Sequence, residues 1–154
     1  MVGDLFHYGH VRLLKRAAAL GTTLVVGVHD DPDVYEYKRT PLLTLPERVE
    51  VIAACRYVDE VIPKAPVNIT REFIEKHNID IHVHSHSPQE DAAYRKDNEP
   101  SYELGIFTRL EYTEGISTTD IIQRICDREN VKMVNLGKQE RRGLAYARHP
   151  VTNE

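Results

Sequence analysis

Asp4-Leu5-Phe6-His7-Tyr8-Gly9-His10, running on into Val11-Arg12-Leu13-Leu14-Lys15-Arg16-Ala17, is the stretch around which the rest of the chain is organised. Its two imidazoles bracket a glycine, and Gly9 can adopt backbone angles closed to other residues, so a sharp turn from loop into helix is expected there. The apolar spacing Val11, Leu14, Ala17, Ala18 predicts a helix that begins near His10 and ends at a Gly21 C-cap. The first N–H groups of such a helix lack internal acceptors and carry the positive end of its dipole, so they form a mouth for an anion, phosphate above all. Histidines at that mouth can donate through Nε2 to phosphoryl oxygens as charge builds during transfer. A capped helix with two solvated histidines explains the same residues without chemistry.

A second phosphate-like element is Thr113-Glu114-Gly115-Ile116-Ser117-Thr118-Thr119-Asp120-Ile121-Ile122. Gly115 supplies a tight turn, Ser117 is a good N-cap, and Asp120 stands where a capping box places its acid. Hydroxyls and free amides again meet at the start of a helix.

Phe6-His7-Tyr8-Gly9-His10, Arg56-Tyr57-Val58-Asp59-Glu60-Val61 and Thr113-Glu114-Gly115-Ile116-Ser117-Thr118-Thr119 occur in that order, and together they resemble the cytidylyltransferase family. That family, which acts on glycerol 3-phosphate, phosphocholine or phosphoethanolamine, belongs to the HxGH nucleotidyltransferase superfamily. The likeness covers roughly residues 2 to 127, and three ordered motifs are far more specific than one.

The resemblance implies an α/β fold, a Rossmann-like parallel sheet with helices on both faces. It also implies an apolar strand just before Asp4, where this chain has only Met1-Val2-Gly3. A missing central strand would leave backbone groups unpaired on both sides, so a fragment, a late start or a substitute segment is expected.

At 154 residues one catalytic domain is expected over 1–127, followed by a polar extension over 128–154. A net charge of −4 and a pI near 6.1 argue against a general nucleic-acid or anionic-membrane binder. No apolar run is long enough to cross a bilayer and no signal peptide precedes the helix, which makes the cytosol the default address. Cys55 and Cys126 stand alone within helical patterns and read as reduced core residues.

Thr22–Val28 is a β-branched run typical of a buried parallel strand, followed by the polar turn His29-Asp30-Asp31-Pro32-Asp33, the kind of place where open α/β sheets bind ligands. Lys38 resembles the family's mobile lysine, a clamp on substrate or triphosphate oxygens; Arg39 beside it is the weaker candidate, and a solvated basic loop is the plain alternative. Thr44-Leu45-Pro46-Glu47 is a capping box that opens a helix carrying Arg48. Arg48 matches a family arginine and is read either as a substrate contact or as half of a surface salt bridge.

Tyr57–Ile62 reads as a strand at the family's subunit contact, which implies a homodimer. Thr70 caps an amphipathic helix, and Ala65-Pro66 with Ile69–Ile74 leans towards the phosphocholine and phosphoethanolamine branch. His82, His84 and His86 alternate along the predicted strand at Ile79–Ser87 and could share a face, with zinc as the minor reading, since such spacing rarely converges on one ion. The family shows Gly-Asp-Asp or His-Asp-Asp where this chain has Ser85-His86-Ser87.

Gln89 to Gly105 reads as a solvated surface helix, and Phe107–Tyr112 as a strand delivering the second motif. Tyr112 stands where the family has a phosphate-binding arginine, replacing a charged donor by a neutral one. Arg109, three residues back, should face the other way. Ile121, Ile122 and Ile125 should pack a last helix ending near Asp127, with a short strand at Val131–Val134 beyond it.

The resulting expectation is transfer of CMP from CTP to a phosphorylated alcohol, phosphoethanolamine or phosphocholine before glycerol 3-phosphate, giving a CDP-alcohol and pyrophosphate. His7, His10 and Lys38 are the catalytic candidates. Asp4, Gly9, Thr113, Gly115, Ile116, Ser117, Thr118 and Thr119 are the nucleotide-binding ones, with Asp4 orienting the first histidine or a Mg²⁺ ion. Arg48 and Tyr112 are candidates for the substrate. Mg²⁺ is expected with CTP, and no resident metal site is expected. An ATP-using adenylyltransferase and an inactive nucleotide-binding or dimerising module remain alternatives.

Overall fold

Helix α1 (Tyr8–Ala18) begins two residues earlier than the apolar spacing predicts, because His7 itself is the N-cap. Gly9 therefore lies inside the first turn of α1 with no left-handed φ, and the expected sharp turn at that residue is not there. The helix closes at Ala19, whose N–H reaches the Arg16 and Ala17 carbonyls, so Gly21 lies beyond the end that it was expected to cap. The computed structural model describes residues 1–36 and 38–139, with side chains as far as Arg128.

Strand β1 (Val25–Val28) is shorter than its β-branched run, since Leu24 is held by Asp59: the Leu24 N–H donates to Asp59 Oδ2 at 2.7 Å and the Asp59 N–H to the Leu24 carbonyl at 3.0 Å. Helices α2 (Asp31–Tyr35) and α3 (Leu45–Ala53) then lead to β2 (Glu60–Pro63), which pairs parallel to β1 from Val25 opposite Glu60 to Val28 opposite Pro63. Two strands in parallel need such a helical crossover. The capping box predicted at Thr44 is present, with Glu47 bonded back to the Thr44 N–H at 2.8 Å. Leu14, Val26, Val28, Leu45 and Ile52 form the buried core, and Phe6, Val49, Cys55, Tyr57 and Val61 pack against it.

Thr70 caps α4 (Arg71–Lys76) as predicted, its hydroxyl accepting from Phe73 N at 3.1 Å. Strand β3 (His82–Ser85) follows. A single 3-10 turn (Pro88–Glu90) and two short helices, α5 (Asp91–Asp97) and α6 (Glu99–Glu103), occupy the stretch expected as one surface helix. It is less solvated than expected: Asn98 and Ser101 are fully buried, and the Asn98 carboxamide accepts from Ile69 N while donating to the Tyr94 carbonyl. Strand β4 (Phe107–Leu110) pairs parallel to β3, from His82 opposite Phe107 to Ser85 opposite Leu110.

The fold is thus α/β with parallel strands, arranged as two separate pairs, β1 with β2 and β3 with β4. Among the described residues no strand precedes β1. Met1 occupies part of that place: its amino group donates to the Gly27 carbonyl and its carbonyl accepts from His29 N at 3.1 Å. Two backbone groups on the second edge of β1 are satisfied in this way, where unpaired groups were expected.

These elements belong to one compact unit, Met1–Thr118; a second unit starts at Thr119. Helix α7 (Thr118–Gln139) runs well past the expected end near Asp127, so residues 131–134 are helical, not extended. Ile125 and Cys126 are exposed, against the core placement expected of them, while Cys55 is half-buried. The segment 140–154 of the expected extension lies outside the described residues. No described helix is long and apolar enough to cross a membrane.

Candidate active site

At the head of α1 the two histidines cap the helix reciprocally. His7 Nδ1 accepts from Gly9 N at 3.1 Å, and His10 Nδ1 accepts from the His7 N–H at 3.2 Å. The helix is thus capped as the plain reading has it, but the two histidines are half-buried and not solvated, and the cap does not compete with the chemical reading. A ring nitrogen that accepts an amide N–H carries no proton, so in each neutral imidazole the proton is on Nε2. The cap turns both rings into Nε2–H donors. Burial first, then the neighbouring His7 and the terminal amino group, push the His10 pKa down to about 4, which keeps that ring neutral at pH 7.

Gly9 is needed for space and not for backbone angles. A Cβ there would stand 2.9 Å from the His7 ring and 3.0 Å from Ile116 Cγ2. The same contact joins the two distant motifs, for Ile116 is buried against the glycine of the first. Gly115 turns with φ +78°, as its sequence context predicts. Thr118 Oγ1 donates to the Asp4 carbonyl at 3.0 Å, and the Tyr112 hydroxyl donates to the Ile116 carbonyl at 3.4 Å. Tyr112 thus braces the turn that the Thr113-to-Ser117 segment makes, and half of its surface is exposed. Thr119 opens the second unit.

Asp4 does something other than orient a histidine. Its buried carboxylate accepts from Leu42 N and Leu43 N at 3.0–3.1 Å and from Arg39 Nη2 at 3.2 Å. The motif's own acid therefore ties down the loop that carries Lys38 and Arg39. With Arg39 half exposed, the ion pair itself contributes on the order of 0–1 kcal/mol, and the two amide bonds do most of the holding. Those bonds occupy the carboxylate, and among the described residues no three His, Cys, Asp or Glu side chains are grouped to hold a metal ion.

Arg48 is neither a substrate contact nor a surface salt bridge. Its side chain is fully buried and donates to the Leu43, Val2 and His29 carbonyls and to the Asp31 carboxylate. A buried guanidinium persists only when its donors are met, and here they fasten four segments behind the site.

Lys38 is exposed, and its charge opposes protonation of His10, His29 and His84. His29 follows the end of β1 and His84 lies near the end of β3, the carboxyl ends at which open α/β sheets bind ligands. Of these three, sequence reading makes His10 a catalytic candidate, puts His29 in a ligand-binding type of turn without a role of its own, and gives His84 only in the minor zinc reading. His29 directly follows β1 and its Nδ1 lies 3.0 Å from the Ala65 carbonyl; burial brings its pKa down to about 4. Its position at the carboxyl end of a parallel strand was the available signal.

His82, His84 and His86 do gather, around Tyr94 of α5. The His84 and Tyr94 rings stack with centroids 4.1 Å apart, and those of His86 and Tyr94 at 4.6 Å. His82 Nδ1 lies 2.9 Å from Ser101 Oγ, whose own proton goes to the Asn98 carbonyl; His82 must therefore donate there and accept from the Tyr94 hydroxyl at Nε2. Arg109 faces Asp91 at 3.9 Å.

With this geometry in place, comparison with known proteins is decisive. The family model described as cytidylyltransferase-like matches residues 4–124. The chain belongs to the cytidylyltransferase-like family. It is 43% identical over 129 residues to the ethanolamine-phosphate cytidylyltransferase of Dictyostelium discoideum, covering 80% of this chain and 36% of that protein. It is 41% identical over 124 residues to the human choline-phosphate cytidylyltransferase A, covering 79% and 34% respectively. The chain thus spans about a third of the length of these relatives. The lipopolysaccharide core biosynthesis protein of Thermoplasma volcanium GSS1 superimposes with a TM-score of 0.58 at 23% identity, over 73% of this chain and 91% of that one, a likeness of fold. The cytidylyltransferase-like match begins at Asp4 and takes in both motifs that meet at Gly9 and Ile116.

Proposed function

We propose that this chain carries the nucleotidyl-transfer centre of an enzyme that moves CMP from CTP to phosphoethanolamine or phosphocholine, releasing pyrophosphate. The observation that carries the reading is the reciprocal histidine cap, which leaves two neutral imidazoles with Nε2–H donors at the mouth of α1. Its relatives are named ethanolamine-phosphate and choline-phosphate cytidylyltransferases, and those names favour these two alcohols over glycerol 3-phosphate.

In this reading a phosphate oxygen of the alcohol attacks the α-phosphorus of CTP in line. His7 and His10 donate to the oxygens on which charge develops, in a site where such donors need no reorganisation. Lys38 grips the phosphates from its tethered loop. Thr113, Gly115, Ile116, Ser117, Thr118 and Thr119 offer hydroxyls and amides, and Gly9 keeps the close approach open. Mg²⁺ enters as the counter-ion of the triphosphate, part of the substrate complex. Residues 1–127 are the catalytic part and the chain beyond is an extension. A homodimer is part of the proposal, by resemblance to the family's subunit contact at Tyr57–Ile62.

The test is pyrophosphate release from CTP and Mg²⁺ with phosphoethanolamine, phosphocholine or glycerol 3-phosphate in turn, and with ATP replacing CTP. Release with one alcohol that disappears in His10→Ala supports the enzyme and names its substrate. Binding of CTP with no release from folded protein overturns it in favour of a nucleotide-binding module, a reading that Tyr112 in place of a charged residue favours.

A further inference from the structure

At the end of β3 three ionisable groups stand in a row. The Nδ1 atoms of His84 and His86 face each other at 3.1 Å, and His86 Nε2 faces Asp91 Oδ1 at 3.1 Å. His86 is buried, while Asp91 is about half exposed. A carboxylate can only accept, so His86 must carry its proton on Nε2. Two facing nitrogens can share only one proton between them. With His86 neutral, that proton belongs to His84 Nδ1, which leaves His84 Nε2 as a bare lone pair.

From this geometry we infer that Asp91, His86 and His84 form a proton relay whose outer end, His84 Nε2, takes the proton from the phosphomonoester substrate in its monoanionic form. The inference rests on the function proposed above. A proton passes from the phosphate hydroxyl to His84 Nε2; the Nδ1 proton of His84 passes to His86 Nδ1; His86 becomes an imidazolium whose Nε2–H stays on the Asp91 carboxylate. The phosphate is left dianionic and able to attack. His84 ends neutral, in its other tautomer. His84 is the residue that meets the substrate; His86 and Asp91 act through it.

The surroundings favour this division. Burial and the nearby Met1 amine, His86, His82 and Lys38 hold the His84 pKa down to about 3, so charge does not rest on that ring. His86 instead faces Asp91 and stacks on the Tyr94 ring at 4.6 Å, where a cation gains from the π face. Glu90 lies close enough to feel the His86 charge, and on β4 the Phe107 ring stacks at 6.0 Å with no charge of its own. Arg109, 3.9 Å from Asp91, is the opposing cation. The outer nitrogen belongs to a ring at the carboxyl end of β3, the end of a parallel strand at which open α/β sheets bind their ligands.

Two measurements test it. The first is the acid limb of kcat for the wild type and Asp91→Asn. A phosphomonoester gives up its second proton near pH 6, so the substrate is nearly all dianion at pH 8, about half dianion at pH 6 and about one-tenth dianion at pH 5. The loss in the variant should be about twofold at pH 6 and grow to about tenfold between pH 8 and pH 5. A merely structural Asp91 would lower the rate by the same factor at pH 8 and pH 5, and that result overturns the relay. The second is ¹⁵N NMR of the histidine rings in the full chain. At pH 7 His84 should carry its proton on Nδ1, and on acidification His86 should become the imidazolium while His84 switches its proton to Nε2. A His84 protonated on Nε2 at pH 7, or charged before His86, overturns the relay. A wild type that releases no pyrophosphate sinks the enzymatic reading, and the ring tautomers still decide whether the relay exists.

Discussion

The chain holds two pairs of facing histidines, and they differ in what fixes their protons. At the mouth of α1 the rings of His7 and His10 lie 3.9 Å apart, and both Nδ1 atoms accept from backbone amides. At the end of β3 the rings of His84 and His86 lie 5.3 Å apart with nitrogen facing nitrogen, and a carboxylate holds the far side. An amide never changes protonation, so the first pair are fixed donors. An imidazole and a carboxylate do change it, so the second pair can pass a proton along. The same residue type serves opposite tasks, and the partner decides which.

The largest effect should come from separating the two ends of the His10 ring. Asparagine can keep an acceptor near the place of Nδ1 but has nothing at Nε2; glutamine does the reverse. His10→Asn should leave thermal stability nearly intact and cut pyrophosphate release by roughly 10²–10³-fold, the usual cost of one missing oxyanion donor. His10→Gln should keep more of the rate and lose about 1 kcal/mol of stability with the cap, read by urea denaturation. Equal rate losses in the two would mean that the cap and the donor are not separable.

Acid should act next, and on both regions. The pKa of His10, His29 and His82 lies at about 4 in the folded chain and that of His84 at about 3, against 6.5 when unfolded. The unfolded state therefore binds protons first as pH falls. Stability should be level above pH 6.5 and drop from there towards pH 4, with His84 adding to the loss down to pH 3. A flat melting temperature between pH 7 and pH 4.5 would refute the buried neutral histidines.

Gly9→Ala places a methyl group against the His7 ring and Ile116, and should cost about 1–3 kcal/mol of stability in a denaturant titration. A neutral outcome would show that the two motifs can move apart without loss. Tyr94→Phe should do least. It keeps the stack on His84 and His86 and removes the bond to His82 Nε2, a change of about 1 kcal/mol. A shift in the ring tautomers of His84 in that variant would extend the second network to His82.

Much of this was legible in the sequence, because it rests on local chemistry. The anion mouth, the boxes at Thr44 and Thr70, the turn at Gly115 and the parallel strands follow from spacing and residue type. What sequence reading missed depends on partners far along the chain. Gly9 serves a contact with Ile116, Asp4 a loop near residue 42, and Arg48 acceptors on three other segments; each looks like a site residue or a surface residue until its neighbours are known. Arg39 likewise shows its partner, the Asp4 carboxylate, only in the fold. The departure at Ser85-His86-Ser87 was noticed as a lost pair of carboxylates, but what stands there could be read only once Asp91 and Tyr94 came alongside.

Arg48 carries one more consequence. Its guanidinium reaches 46 residues back to Val2, 19 back to His29, 17 back to Asp31 and 5 back to Leu43. A single rigid fork whose three nitrogens are all engaged acts as a gauge of chain length. The exposed positions between those points can change composition, but an inserted or deleted residue near any tooth would strand a buried donor. Drift in this protein should therefore appear as substitutions at exposed positions between these anchors and as length changes elsewhere, while 4–10 and 38–43 are held by the gauge and the chemistry together.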